Sequence, residues 1–382
     1  MKKFIDQLRD YDVCFETFLI PSMNGQKHMQ TILLRESFKY FSEENIGIKH
    51  ASPTNILDVS CGRGDYSASW TCSIAKYVSG GINYFCTDIP EGFCKDSGEC
   101  YIEATKRKIK AVAHILKLCD DPVGVECDLY SGVDVIIPFP KQADIVHWSH
   151  SGYHVRDALG PKKNNLKAIE QGLQIAIAKI WSALDEEGLM FSIHQSNDTS
   201  DNVPAQMATL ARPFTGILDN VPWYIEKNVH SHGGWVTTVH FGAPVKFPIM
   251  KNNKWQLLKN PKAWEFLDQD QQHTLRLLNF IAHDFTDENK AGLEKLAESG
   301  KLGEFIDIFK NAVQQNSDYI ICKCAFQMAC KSKIMADKLD TIGRDLRQRM
   351  PEFIKEMAET MMSAKKEHSE AVTSLKLTNF HT

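Results

Sequence analysis

Hydrophobic positions change period several times along the 382-residue chain, and each change marks an element. From Gln26 to about Phe41, the residues Met29, Ile32, Leu33, Phe38 and Phe41 recur at three- and four-residue steps, which predicts an amphipathic helix. Pro53 ends any helix, and Ile56 to Val59 is a short apolar run read as a strand. It leads into Ser60-Cys61-Gly62-Arg63-Gly64, after which Ser67 to Val78 has helical period. Further strands are predicted at Ile82 to Thr87, closing on Asp88, at Val123 to Cys127, closing on Asp128, at Asp144 to Trp148, and at Leu189 to His194. Helices fall between them at Tyr101 to Leu118 and Asn164 to Leu184, with Gly188 expected as the C-terminal cap of the second. This alternation predicts an α/β fold built on a doubly wound, mostly parallel sheet.

Beyond it the pattern shifts. Trp235 to Phe241 reads as a strand, Trp264 to Phe280 and Lys290 to Phe309 have helical period, and Tyr319 to Phe326 is again a strand. A helical insertion between late strands of one sheet is therefore expected. From Ile334 to Lys366, Met335, Leu339, Ile342, Leu346, Phe353, Met357 and Met361 keep a three-four spacing that Pro351 interrupts. This C-terminal helical tail reads as an appendage, packed on the body or used for self-association or a protein partner.

Composition narrows the function. With 43% hydrophobic and 24% charged residues, the chain can bury a full core, which excludes wholesale disorder and a disulfide-stapled miniprotein. A net charge of −4 lacks the basic excess of a phosphate-tracking protein, so a small-molecule partner is expected and nucleic acid is not. The first twenty residues run into Asp6, Arg9, Asp10, Asp12 and Glu16, giving no apolar leader, and no window approaches a membrane span. Eleven cysteines, mostly inside apolar runs and without a C-x-x-C pair, read as reduced thiols in a cytoplasmic protein, with no metal site expected.

Candidate chemistry gathers at two strand ends. A glycine pair after a parallel strand lets backbone approach a cofactor with no Cβ in the way. The dinucleotide fingerprint G-x-G-x-x-G is incomplete, because Ser67 stands three residues after Gly64, and the phosphate loop G-x-x-x-x-G-K-[ST] is absent. Asp88, at the end of the next strand, suits a carboxylate that takes ribose hydroxyls. The fourth strand ends in His147-Trp148-Ser149-His150-Ser151-Gly152-Tyr153-His154, at the edge where open α/β sheets bind ligands.

The acid Asp58 in the strand end, then Ser60, Cys61 and Gly62-x-Gly64, resembles motif I of the class I S-adenosylmethionine-dependent methyltransferases, with Ser60 where that motif has its first glycine. The fourth-strand histidine with Tyr153 and Val155-Arg156-Asp157 resembles histamine N-methyltransferase. So do Tyr11, Phe15, Phe18-Leu19, Ser22, Gln26 and Met29-Gln30, and the late run Asn316 to Ile321. The likeness spans residues 8 to 326 in scattered blocks. It implies S-adenosyl-L-methionine as cofactor, held by Asp58, Ser60, Gly62, Gly64, Asp88, Asp128 and Ser149. It also implies an acceptor bound by Phe15, Phe18, Asn24 and Tyr153, with Gln315 or Asn316 nearby, and His150 and His154 as catalytic proton acceptors.

On this resemblance, residues 1–50 form a substrate-covering segment and 51–200 the cofactor-binding core. Residues 201–330 supply the helical insertion and late strands, and 331–382 the tail. Asn24 replaces the family's acid and His150 its glutamine, so the implied acceptor is a small amine of lower charge than histamine, with a hydroxyl as the open alternative. Two other readings stay open from the residues alone: a nucleotide-dependent oxidoreductase, and a non-catalytic binding or scaffold protein on a degenerate version of the fold.

Overall fold

The computed structural model describes residues 3–378 apart from 21–23, 45, 47, 49–51, 90–91, 93, 95–97, 131–136, 138–141, 160–164, 197–202, 212–220, 249, 251, 283–289 and 316–317. Its frame is one seven-stranded sheet: β1 (Thr54–Val59), β2 (Ile82–Asp88), β3 (Val123–Glu126), β4 (Ala143–Ser149), β5 (Leu184–Gln195), β6 (Trp235–Lys246) and β7 (Tyr319–Cys330). The spatial order is β3-β2-β1-β4-β5-β7-β6. β1 pairs in parallel with both β2 and β4, whereas β7 runs antiparallel between β5 and β6. The expected doubly wound, mostly parallel sheet is present, and the strand order reverses between β1 and β4. That reversal opens a crevice at the carboxyl edge.

Alternation along each strand feeds two cores. Ile56, Ile145, Leu189, Phe191, Phe326 and Met328 face one layer, while Leu57, Val59, Val146, Trp148 and Met190 face the other. The first layer is covered by the helices Gly25–Glu44 and Asp65–Ile74, the second by Leu166–Ala183 and Val221–Ser231. A third core lies among the helices Gln269–Ala282, Gly292–Glu298 and Leu302–Gln315, which form the insertion between β6 and β7. Phe4 and Leu8 belong to this third core, whereas Met29, Leu33 and Phe38 belong to the first, so residues 1–50 split between two bodies of packing.

Several expectations need correction. Gly188 caps no helix. The helix ends at Ala183, β5 begins at once, and Gly188 lies in a stretch where Ala143 pairs with Leu184 but Ile145 already pairs with Leu189. A Cβ there would meet the Ala143 carbonyl oxygen at 2.8 Å, so the glycine marks backbone crossing backbone. Of the two placements expected for the tail, the structure shows packing on the body. Met335, Leu339, Ile342 and Leu346 on the helix Lys333–Gln348, with Phe353, Met357 and Met361 on the helix Met350–Thr378, are buried in the first core. The spacing that suggested pairing is spent on the sheet and on the helix Gly25–Glu44, and Pro351 sits in the first turn of the last helix, where a missing amide costs nothing. Among the described residues, no helix is long and apolar enough to cross a membrane.

Candidate active site

The carboxyl ends of β1, β2 and β4 meet at the crevice. After β1 the chain turns sharply, with Ser60, Gly62 and Gly64 all at positive φ (56°, 58° and 76°). Ser60 thus carries a side chain in a conformation that glycine adopts freely, at a cost of about 1 kcal/mol or more. Positive φ favours glycine at both positions, and at Gly64 close packing requires it as well. Nothing lies within 4 Å of where a Gly62 Cβ would stand, leaving open space above the turn, whereas a Cβ on Gly64 would lie 2.5 Å from the Thr105 backbone. The Gly62 N–H donates to Asp88 Oδ2 at 2.6 Å and the Ile89 N–H to Asp88 Oδ1 at 2.9 Å, while Thr105 Oγ1 donates to the Gly62 carbonyl at 3.0 Å. Asp88 therefore ties the turn to β2. Burial pushes its carboxyl above the usual range, and the two amides oppose that rise.

Asp58 points inward, away from the turn. It is 2% exposed; Oδ1 pairs with His147 Nδ1 at 2.8 Å, and Oδ2 accepts from Ser67 Oγ at 2.5 Å and Tyr84 Oη at 2.6 Å. An acid with these partners braces β1 against β4 and the helix Asp65–Ile74. Ser67, the residue that breaks the dinucleotide fingerprint, is spent on this brace. Asp128, past β3, accepts the Tyr130 N–H at 3.0 Å, and its carbonyl accepts from Lys179 at 3.1 Å. It stands at the same edge as Asp88, where Cys127 N–H donates to the Asp88 carbonyl at 2.8 Å.

On the acceptor side, the helix Gly25–Glu44 faces the end of β4. Gln30 Nε2 donates to Ser149 Oγ; Gln26 Nε2 lies 3.0 Å from His150 Nε2 and 3.1 Å from Cys324 Sγ. His150 has φ 50° and is half-buried; desolvation, with His147 second, pushes its pKa down to about 3. The shift favours the neutral imidazole. His154 closes the short turn Gly152–His154 and is half-buried. Tyr153 lies in that turn, but its side chain is outside the described residues, as is Asn316.

Three residues expected on the acceptor side have contacts within the chain. Asn24 Oδ1 accepts the Lys27 N–H at 3.0 Å, so this residue, 2% exposed, caps the helix Gly25–Glu44 instead of facing an acceptor. Phe18 stacks on Phe280 with ring centroids 4.8 Å apart and Phe15 tilts against the same ring at 5.6 Å, docking the helix Tyr11–Leu19 on the insertion. That helix still covers the crevice, since Glu16 forms an ion pair with Arg63 inside the glycine turn. Gln26 and Gln30 were the legible acceptor-side signal: amides four residues apart on the apolar stripe of Met29 and Leu33 have no reason to face a core unless something polar waits there. Among the described residues, no three His, Cys, Asp or Glu side chains gather as a metal set.

No protein-family model and no curated protein sequence matches the chain. Among solved structures it is similar to a loganic acid methyltransferase with SAH, at 13% identity over 81% of this chain and 95% of that one, with a TM-score of 0.44. It is also similar to an S-adenosylmethionine-dependent methyltransferase from Aquifex aeolicus, at 11% identity over 60% and 92% and a TM-score of 0.33. An O-methyltransferase family protein from Burkholderia thailandensis matches at 13% identity over 53% and 51%, with a TM-score of 0.32.

Proposed function

We propose that this chain is an S-adenosyl-L-methionine-dependent methyltransferase acting on a small molecule, with an amine nitrogen as methyl acceptor. The observation that carries the reading is the coupling of the open glycine turn to the acid on the neighbouring strand: Gly62 N–H donates to Asp88 at 2.6 Å beside space that no Cβ fills. Each Asp88 oxygen keeps lone-pair capacity for a ribose hydroxyl. Asp128, one strand further out, would flank the base, and Ser60 and Ser149 would border the reacting end. The oxidoreductase reading loses support, because the dinucleotide sheet continues 4-5-6 in parallel, whereas here antiparallel β7 separates β5 from β6.

The bound cofactor would supply an already activated methyl group as a sulfonium. The chain's own residues then exclude water, align the acceptor and deal with one proton. The cover helix Tyr11–Leu19, latched by Glu16 and Arg63, shields the crevice. Gln26 and neutral His150 offer hydrogen bonds that fix an acceptor N–H or lone pair. With its pKa near 3, His150 is too weak a base to keep the proton, so its role is orientation; His154 at the outer turn is the residue to receive it. A wall of uncharged groups selects a neutral or singly charged aromatic amine over a doubly charged one.

The test is incubation with methyl-labelled S-adenosylmethionine and a panel of amines, phenols and carboxylic acids, read by mass spectrometry. A single methyl added to a heteroaromatic or aromatic amine, with histamine a poor acceptor, is the expected result. Efficient methylation of histamine, or of oxygen acceptors alone, would contradict the acceptor assignment.

A further inference from the structure

A chain of buried polar groups runs from the acceptor loop through the sheet to the helix Val221–Ser231, and its donors and acceptors can be assigned from one end. The Pro222 carbonyl and the Glu226 carboxylate can only accept. Gln327 Nε2 lies 3.0 Å from the first and 3.3 Å from the second, which orients the amide with Nε2 toward them and Oε1 away. Thr238 Oγ1, itself a donor to Glu226, lies 3.3 Å from the same Nε2. Gln327 Oε1 therefore faces Ser192 Oγ at 3.2 Å and must receive the hydroxyl proton. Ser192 Oγ, its proton so used, can only accept from His194 Nδ1 at 3.3 Å. His194 then carries its proton on Nδ1, and the lone pair on Nε2 is free to accept the Gly152 N–H, 3.3 Å away.

We infer that His194 is a positioning residue for the acceptor loop, set as the Nδ1–H tautomer by Gln327 through Ser192 so that its Nε2 holds the Gly152 amide. His194 is 1% exposed and packs edge-on against Trp148, with ring centroids 4.7 Å apart. Burial first, then His150 and His147, keeps it uncharged, so Nε2 retains its lone pair. The approach at Gly152 is close: a Cβ there would meet Val221 Cγ1 at 2.7 Å and His194 Nε2 at 3.2 Å, which explains the glycine. The same loop is held two residues earlier by the His150 N–H on the Ile193 carbonyl at 2.9 Å, and between these points Tyr130 Oη donates to the Ser151 carbonyl at 2.5 Å and Trp148 Nε1 to Ser151 Oγ at 2.6 Å. Consecutive β5 residues thus fasten both ends of a turn that presents His150 at positive φ. What the loop is held for rests on the methyl-transfer reading; that His194 holds it does not.

The experiment needs no substrate. Nitrogen-15 NMR of the full-length protein labelled at histidine reports the tautomer of each ring, and His194 is expected as Nδ1–H; an Nε2–H or doubly protonated ring at neutral pH would overturn the assignment. Amide exchange over residues 149–154 then reads the clamp. His194→Gln, whose side-chain oxygen reaches the Nε2 position, should keep wild-type protection, whereas His194→Asn, which reaches only the Nδ1 position, should exchange about tenfold faster for loss of one buried hydrogen bond. Equal protection in both variants would overturn the clamp. S-adenosylmethionine titration of the same variants separates the two ideas: failure of every form to bind would count against the proposed function and leave the tautomer result standing.

Discussion

Two histidines show how burial redirects a residue whose identity alone suggests a base. With its pKa pushed from 6.5 to about 3, His150 binds a proton in the unfolded chain across a pH range where the folded chain refuses it. His194 is shifted in the same direction. The unfolded state therefore holds more protons between about pH 3 and 6.5, and stability rises with pH through that window, being fully present above it. The melting temperature should fall as pH drops from 7 to 5, and His150→Gln should flatten the slope; an unchanged slope would show that the ring is not buried as described. Activity should show no loss attributable to His150 over the same interval. His150→Ala should cut turnover about tenfold or more while cofactor affinity stays within about twofold, for loss of one acceptor hydrogen bond. None of this was legible in the sequence, since the three-dimensional neighbours that desolvate His150 come from a helix more than a hundred residues upstream and a strand well downstream. Asn24 misled for a related reason: a polar residue before a helix is as suited to capping as to binding, and the hydrogen bond to Lys27 decides it.

The strands β1, β2 and β4 and the turn after β1 are the most readable part of the chain, because each of these strands is short, largely apolar and carries a polar residue at or beside its carboxyl end. The turn at 60–64 and the strand-ending Asp88 follow from local chemistry, and their contact follows from β1 and β2 being neighbours. Asp88→Asn keeps an oxygen for the Gly62 N–H but turns its NH2 toward the Ile89 N–H, so it should cost about 1–3 kcal/mol of stability as well as weaken cofactor binding about tenfold or more through the lost charge-assisted hydrogen bonds. Full affinity in that variant, measured by titration, would remove Asp88 from the ribose. Element boundaries were harder to read. The periodic run from Tyr101 to Leu118 is two helices, Tyr101–Ala111 and Ala113–Leu116, and the stretch from Lys290 divides near Gly300, because local breaks in backbone geometry leave little trace in the hydrophobic pattern. Asp58 lies on its strand as expected, and its register partner His147 is also its hydrogen-bond partner, which the sequence alone does not show.

At the scale of the molecule, a helical stripe in the tail identifies a face to be buried without saying what buries it, and here the body does. Seven large apolar residues from Met335 to Met361 join the first core, each contributing about 1.5–3 kcal/mol, which together exceeds the typical net stability of a domain. Truncation after Lys331 should give an insoluble product, and Leu339→Ala alone should cost about 2–5 kcal/mol in chemical denaturation; a folded truncation product would mean that the first layer closes without these helices. The sheet, its insertion and its cover assemble around one crevice, and the account as a whole depends on what that crevice holds. Calorimetric titration of the full-length protein with S-adenosylmethionine and, separately, with NAD tests this most directly. Saturable one-to-one binding of S-adenosylmethionine, weakened in Asp88→Asn, with no heat from NAD, is the predicted result, and binding of NAD or of neither would contradict it.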